Sequence, residues 1–457
     1  MIPGVATGPD GESTLTKTPS SQTSAASPVV KRSSAAFTWA SLTQRWRRAF
    51  ESSSETSREL LGILSQRWRS IASLICVIVI AVTSGRADAA PFVPESDSQV
   101  LERLPFAPND PVLGRLRALN NQLIRKPDNL PLALLVAQGY VEVGRITGDP
   151  RYAGYAQAAL APWWDIEQAP PEVLVLRATV HQRMHQFDVA LADLAKVLNT
   201  NPRNVQARLI RATVLQVQGV YDEARAECRA LQELTEELVW TTCLANMDGV
   251  TGQLREAYQQ LRAALERHPH AQLSIHSWAL ISLAEMAARA GLTQDAEGHF
   301  RAALALDTAD YYVLGAYADF LLDNRRPQEV VALLRDKTAT DPLLLRYTLA
   351  LQAQRSKELP AQVEQLRNRF DASRLRGDRV HLREEARFTL HLLNAPQAAL
   401  TLAQENWQVQ KEPADVRILL EAVLAADDTA AVDGVREWLK NSRLEDVELQ
   451  RILAPRG

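Results

Sequence analysis

The side chains that could carry chemistry in this 457-residue chain are few and scattered. His181 and His185 stand four residues apart, a spacing that puts two imidazoles on one helix face, and Asp188 follows. That set could be half of a metal site, but no glutamate lies between the histidines as in His-Glu-x-x-His. A packing histidine and a turn histidine account for the pair more simply. His268 and His270 fall in a loop, where solvent is the default. Between Arg367 and Arg387 seven arginines share a short stretch with His381, Asp371, Asp378, Glu384 and Glu385. A basic patch of that kind could hold a phosphate or carboxylate, but the near balance of sign suits ion pairs that tie neighbouring helices together. The three cysteines, Cys76, Cys228 and Cys243, form no Cys-x-x-Cys pair, so zinc-ribbon and thioredoxin-like chemistry is not indicated. There is no phosphate-cradling glycine loop and no Gly-x-Ser-x-Gly elbow. The chain therefore reads as a non-enzyme, with no cofactor and no metal.

Composition narrows the partner. Apolar residues make up 46% and charged residues 23%, with a net charge of only -3 and the two signs interspersed. Neither a nucleic acid nor an anionic membrane surface is favoured by such a distribution. After residue 100, Ala, Leu, Arg, Glu and Gln dominate, which are strong helix formers.

Positioning comes from a repeat. Leu176-Arg177-Ala178-Thr179-Val180-His181-Gln182 returns 34 residues later as Ile210-Arg211-Ala212-Thr213-Val214-Leu215-Gln216, followed in turn by Ala190 and Ala224. Residues 238–269 carry Gly252, Ala257, Leu261, Ala264 and Pro269, and the next unit carries Leu283, Ala284, Gly291, Ala296, Phe300 and Ala303. These two units share Arg-Ala-Ala-Leu at a spacing of 39, so five extra residues are expected in the loop between His268 and Ile275. Residues 311–342 keep Leu314, Ala318 and Leu334 but lack the turn glycine. A first, degenerate unit spans about 130–162 with an inserted loop at Gly148–Tyr152, and Trp163-Trp164 would cover it. Beyond Pro342 six amphipathic stretches and a short cap at 444–453 continue the helical pattern. No stretch alternates with period two, so no sheet is expected.

A period of 34, paired small residues and a proline near the unit's end resemble the tetratricopeptide repeat. One amphipathic helix pair cannot bury its apolar face alone, so neighbours stack. The fold expected is therefore all-α, an α–α superhelix, with repeats over 129–342 and degenerate helical repeats with a cap over 343–457. The resemblance implies a scaffold that binds a protein or peptide partner in a concave groove lined by first helices. By register those residues include Gln182, Arg183, Thr213, Gln216, Asn246, Glu285, Arg289, Tyr312, Asp319 and Asp323. Alanine at Arg289 and Asp319 is then expected to weaken the partner without lowering the melting temperature. The set is mixed in sign and lacks the Lys and Asn combination with which some family members clamp acidic chaperone tails.

Cys228 lies in the second helix of one unit and Cys243 in the first helix of the next, at similar distances from the connection near Glu236. Antiparallel packing brings them to similar heights, which suits a disulfide closing a loop of about fifteen residues. Two separate buried thiols remain the alternative, because helix phase can aim their Cβ atoms apart.

The N-terminal region has another character. Residues 1–66 are rich in Ser, Thr, Gly and Pro and are expected to be disordered. Arg67 and Arg69, the apolar run from Ile71 to Ser84, and Ala87-Asp88-Ala89-Ala90 make the three parts of a signal peptide over 67–90. Retained, the same run would be a membrane anchor, although it is shorter than the roughly 20 residues of a span. An extended lead-in and helix over 91–128 would follow. The expected protein is thus an exported, periplasmic or secreted scaffold. Its rivals are a helical enzyme or small-anion-binding protein using residues 367–387, and a membrane-anchored assembly factor.

Overall fold

The computed structural model describes residues 110–454, and the expectations for 1–66, 67–90 and most of the lead-in lie outside it. Among the described residues there are helices and no strand. They begin with α1 (Pro111–Arg125), the pair α2 (Leu130–Thr147) and α3 (Arg151–Ala159), and the single turn α4 (Ala161–Trp164). Four regular pairs follow: α5 (Pro171–Arg183) with α6 (Phe187–Thr200), α7 (Val205–Val217) with α8 (Tyr221–Ala230), α9 (Glu237–Asp248) with α10 (Leu254–Arg267), and α11 (Leu273–Arg289) with α12 (Thr293–Leu306). Next come α13 (Tyr311–Asp323) with α14 (Pro327–Leu334), α15 (Asp341–Ala353) with α16 (Leu359–Leu375), α17 (Leu382–His391) with α18 (Pro396–Val409), and α19 (Pro413–Ala425) with α20 (Thr429–Ser442). The last helix is α21 (Val447–Leu453). The irregular region beyond Pro342 therefore continues the same pairing.

Each pair is turned back on itself by one residue in the left-handed region. Glycine does this at Gly148, Gly219, Gly252 and Gly291, and His185, Arg325, Arg355, Asn394 and Asp427 do it elsewhere, with φ between 51 and 57°. In seven of these nine turns the next residue donates its N–H to the carbonyl five positions back, as from Gln186 to His181, Val220 to Leu215 and Arg326 to Leu321, whereas Ala395 reaches six back to Thr389 and Asp149 bonds the Thr147 hydroxyl. That bond satisfies a carbonyl orphaned at the helix end. The hydrogen bond, not the glycine, defines the turn, which is why the unit at Arg325 survives without one.

Packing follows the small residues. Ala178, Ala212, Ala245, Ala284 and Ala318 of the first helices and Ala190, Ala224, Ala257 and Ala296 of the second are all buried. A larger side chain at any of them overpacks a helix contact, at a cost of about 1–3 kcal/mol. The arginine repeated in the two most similar units is also explained. Arg177 makes a bidentate pair with Asp193 at 2.6 and 2.7 Å, and Arg211 reaches Glu227 at 3.0 Å, each joining the two helices of its own pair. One expectation fails here. The five extra residues do not enlarge the loop after α10 but lengthen α11 to 17 residues, adding about one helical turn whose backbone groups are bonded within the helix.

The chain also closes on itself. α13 packs on α2, where Arg145 and Asp310 are 2.8 Å apart. Further along, the turn between α18 and α19 rests on the α7–α8 turn, with the Lys411 N–H donating to the Val217 carbonyl at 2.7 Å. The connection after α20 rests on the α9–α10 turn, where the Glu445 carboxylate accepts from the Leu254 N–H at 3.2 Å. A Cβ placed on Gly148, Gly219, Gly252 or Gly291 would meet Tyr311, Lys411, Arg443 or Val447, respectively. These four turn glycines thus form a seam as well as a set of turns.

Candidate binding cavity

Closure converts the concave face into a cavity of about 1960 Å³. All ten residues placed on the groove by register line it: Gln182 and Arg183 from α5, Thr213 and Gln216 from α7, Asn246 from α9, Glu285 and Arg289 from α11, and Tyr312, Asp319 and Asp323 from α13. The opposite wall was not read from the sequence. It comes from residues 376–384, from Arg387 on α17 and from Arg417 on α19.

Several of the ten are already engaged. Asp319 accepts from Arg346 at 2.5 and 2.9 Å and from Arg387 at 2.9 Å, so it joins α13 to α15 and α17. Asp323 takes a bidentate pair from Arg417 at 2.7 and 2.8 Å. Arg183 donates to the Gly144 carbonyl at 2.7 Å and Arg289 to the Gly249 carbonyl at 2.6 Å, so each ties the end of its helix to the first helix of the preceding pair. Tyr312 donates to Glu285 at 2.7 Å. Asp319 and Arg289 are therefore structural groups, and alanine at either disturbs the fold as well as the cavity surface. By contrast, the side chains of Gln182, Gln216 and Asn246 face the cavity without a hydrogen-bond partner among the described residues.

Charge in the cavity is settled by these partners. Burial works against the Asp319 carboxylate, yet Arg346 and Arg387 hold it far below its ordinary range. Glu285 is the reverse case, since burial raises it more than the Tyr312 bond and Arg289 lower it. Burial and the nearby Glu412 push Asp415, at the start of α19, up to about 6 although Arg383 opposes them. His185 is drawn down to about 4, by burial first and then by Arg383 and His381.

The arginine-rich segment is fully paired. Arg367 meets Glu364, Arg369 meets Asp341, Arg374 meets Asp371 and Glu385, and Arg376 meets Asp378. Arg379 meets Glu405, Arg383 meets Glu384, Glu412 and Asp415, and Arg387 meets Asp319. Arg369, Arg374, Arg379 and Arg383 thereby tie segments between α15 and α19 together and Arg387 reaches α13, whereas the pairs of Arg367 and Arg376 are local. His181 and His185 do not converge: His181 bonds Gln186 and packs against Trp164, while His185 sits past the helix end, stacked on Phe187. No metal-binding group of His, Cys, Asp and Glu occurs among the described residues. Cys228 and Cys243 are joined as a disulfide, with Cα atoms 5.5 Å apart, inside the core between α8 and α9. Trp163 and Trp164 are partly buried against the core of the first repeats.

The family model of the tetratricopeptide repeat matches residues 175–237, within α5 to the start of α9. Over that stretch the chain carries tetratricopeptide repeats. Its architecture is similar to that of the human IFIT1 dimer with PPP-AAAA, at 11% identity and a TM-score of 0.42, over 71% of this chain and 77% of that one. It is also similar to yeast Tom70, at 12% identity and a TM-score of 0.33, over 75% and 91% of the two chains. A tetratricopeptide repeat protein from Parabacteroides merdae is similar over 64% of this chain and 97% of its own, at 13% identity and a TM-score of 0.34. No curated protein matches the sequence.

Proposed function

We propose that this tetratricopeptide-repeat protein is a non-enzymatic scaffold, exported from the cytoplasm, that holds a protein or peptide segment in its concave cavity. The observation that carries the reading is the convergence of all ten register-placed residues on one cavity of about 1960 Å³. Gln182, Gln216 and Asn246 supply hydrogen-bonding groups not committed to the fold, which suits recognition of an extended backbone. The buried Cys228–Cys243 disulfide supports an oxidising compartment, where such bonds persist. The signal-like stretch at 67–90 supports the same compartment from the sequence.

Two experiments test this. Mass spectrometry of the mature N-terminus should find cleavage after Ala89 or Ala90; an intact N-terminus in the membrane fraction would replace secretion by anchoring. Gln216→Trp and Asn246→Trp should block the cavity and abolish capture of the partner recovered with the parent chain, while the melting temperature stays within surface-mutant range. Equal capture by the blocked variants would move the binding surface elsewhere.

A further inference from the structure

The C-terminal helices meet the repeats most closely at one short turn. Lys411 donates its backbone N–H to Val217 at 2.7 Å and accepts from the Tyr221 hydroxyl at 3.2 Å, and its side chain covers Gly219. The residue before it, Gln410, is buried and reaches His185 across the seam, with 3.2 Å between the amide nitrogen and Nδ1.

A relay of hydrogen bonds fixes which atoms face each other. Asp415 accepts from the Asn406 amide at 2.8 Å, which leaves the Asn406 oxygen to accept from the Gln410 amide nitrogen at 3.2 Å. Gln410 therefore presents N–H to His185, and Nδ1 must be the unprotonated, accepting nitrogen. The imidazole itself is held by its left-handed backbone, φ 56°, and by stacking on Phe187 at 5.5 Å. The charged or titratable groups around it include His381, Arg383 and Glu384 at the start of α17 and Glu412 before α19, and Asp415, raised to about 6, stands at the far end of the Asn406–Gln410 relay. Arg383 already bonds both Glu384 and Glu412, and among the described residues neither carboxylate makes an ion pair with His185.

We propose that this contact is a pH-sensitive clasp, in which protonation of His185 unfastens the 409–412 turn from the repeats and opens the cavity. A protonated Nδ1 would set N–H against N–H and add a cation beside Arg383 and His381. The closed state therefore holds the neutral ring, consistent with its pKa of about 4. In an undocked arm the imidazole returns to its ordinary value near 6.5, so closure is complete above that pH and is lost as pH falls towards 4. At pH 5 this linkage weakens closure on the order of 30-fold. The inference rests on the cavity reading only for its consequence, because the clasp can be measured with no partner present.

Hydrogen exchange of the full chain tests it. Protection of the peptide covering residues 407–413, corrected for the intrinsic pH dependence of exchange, should fall about 30-fold between pH 7.5 and 5, as that linkage requires. A peptide from the middle of α11 should not change. His185→Asn keeps a residue that tolerates the left-handed backbone and should remove the His185 part of the pH dependence, with Asp415→Asn as the control for the other group of the relay that titrates in this window. Gln410→Glu should reverse it, because an ionised carboxylate would bond the imidazolium; this variant carries the test if the first fails to fold. Unchanged protection in the parent chain, the same loss in His185→Asn, or no reversal in Gln410→Glu would each overturn the proposal.

Discussion

Replacing Gly252 and Gly377 by alanine, one at a time, compares two glycines with similar backbones and different surroundings. Both are left-handed, with φ of 87° and 72°. Nothing lies within 4 Å of a Cβ at Gly377, so that variant bears the backbone cost alone, about 1–2 kcal/mol. At Gly252 the new Cβ would stand 2.8 Å from the Arg443 Cβ and 3.3 Å from its carbonyl oxygen. Neither atom can swing aside without moving backbone. Overpacking therefore adds about 1–3 kcal/mol, and the whole cost becomes about 2–5 kcal/mol. At Gly219 the nearest atom is the Lys411 Cδ at 2.9 Å, the far part of a flexible chain, so Gly219→Ala should fall between the two. Urea unfolding of the full-length variants, followed by tryptophan fluorescence, reads the differences. Equal destabilisation at Gly252 and Gly377 would mean that Arg443 is not seated on the α9–α10 turn, and the seam would be wrong.

Other outcomes follow from the same structure. Replacing Cys228 and Cys243 by alanine opens a loop whose ends are 15 residues apart and should cost about 3 kcal/mol by the chain-entropy estimate, with reduction of the parent chain lowering its unfolding midpoint similarly. Asp319→Ala strands Arg346 and Arg387 and should destabilise by about 3–5 kcal/mol, whereas Gln182→Ala, with no partner to strand, should stay within about 0.5 kcal/mol. In acid, the carboxylates Glu384 and Glu421 contribute alongside Asp319. Burial opposes their ionisation, but Arg383 beside the first and His391 with Arg417 beside the second bring both down to about 2, below the 4.5 of a free glutamate. Their contribution is present above pH 4.5 and should disappear as pH falls through 2, visible as a falling urea midpoint across that window.

The repeats were legible because their signals are local. Ala178 and Ala212 recur with helical neighbours, and Gly219, Gly252 and Gly291 mark turns by composition alone. The ten residues named by register line the cavity. What the sequence did not disclose is long-range. Lys411 over Gly219 and Arg443 over Gly252 are contacts between positions almost two hundred residues apart, and neither side carries a periodic pattern that names the other. The same holds for Asp319 and Arg387, which read separately as a groove acid and a helix-tying arginine but are a single ion pair. His185 was legible as a turn histidine: spacing of four implies a shared helix face only while the helix continues, and α5 ends at Arg183.

Closure of the repeats by the C-terminal helices is measured most directly by a designed cross-link. A Cβ on Gly219 would lie 3.4 Å from the Lys411 Cβ, close to the roughly 3.8 Å typical of a disulfide. In a full-length chain with Cys76 replaced by serine, Gly219→Cys with Lys411→Cys should oxidise to an intramolecular bond. On a non-reducing gel that species would run ahead of either single variant, and peptide mass spectrometry would find residues 219 and 411 joined. Two free thiols at these positions under conditions where Cys228 and Cys243 are bonded would contradict the closed structure.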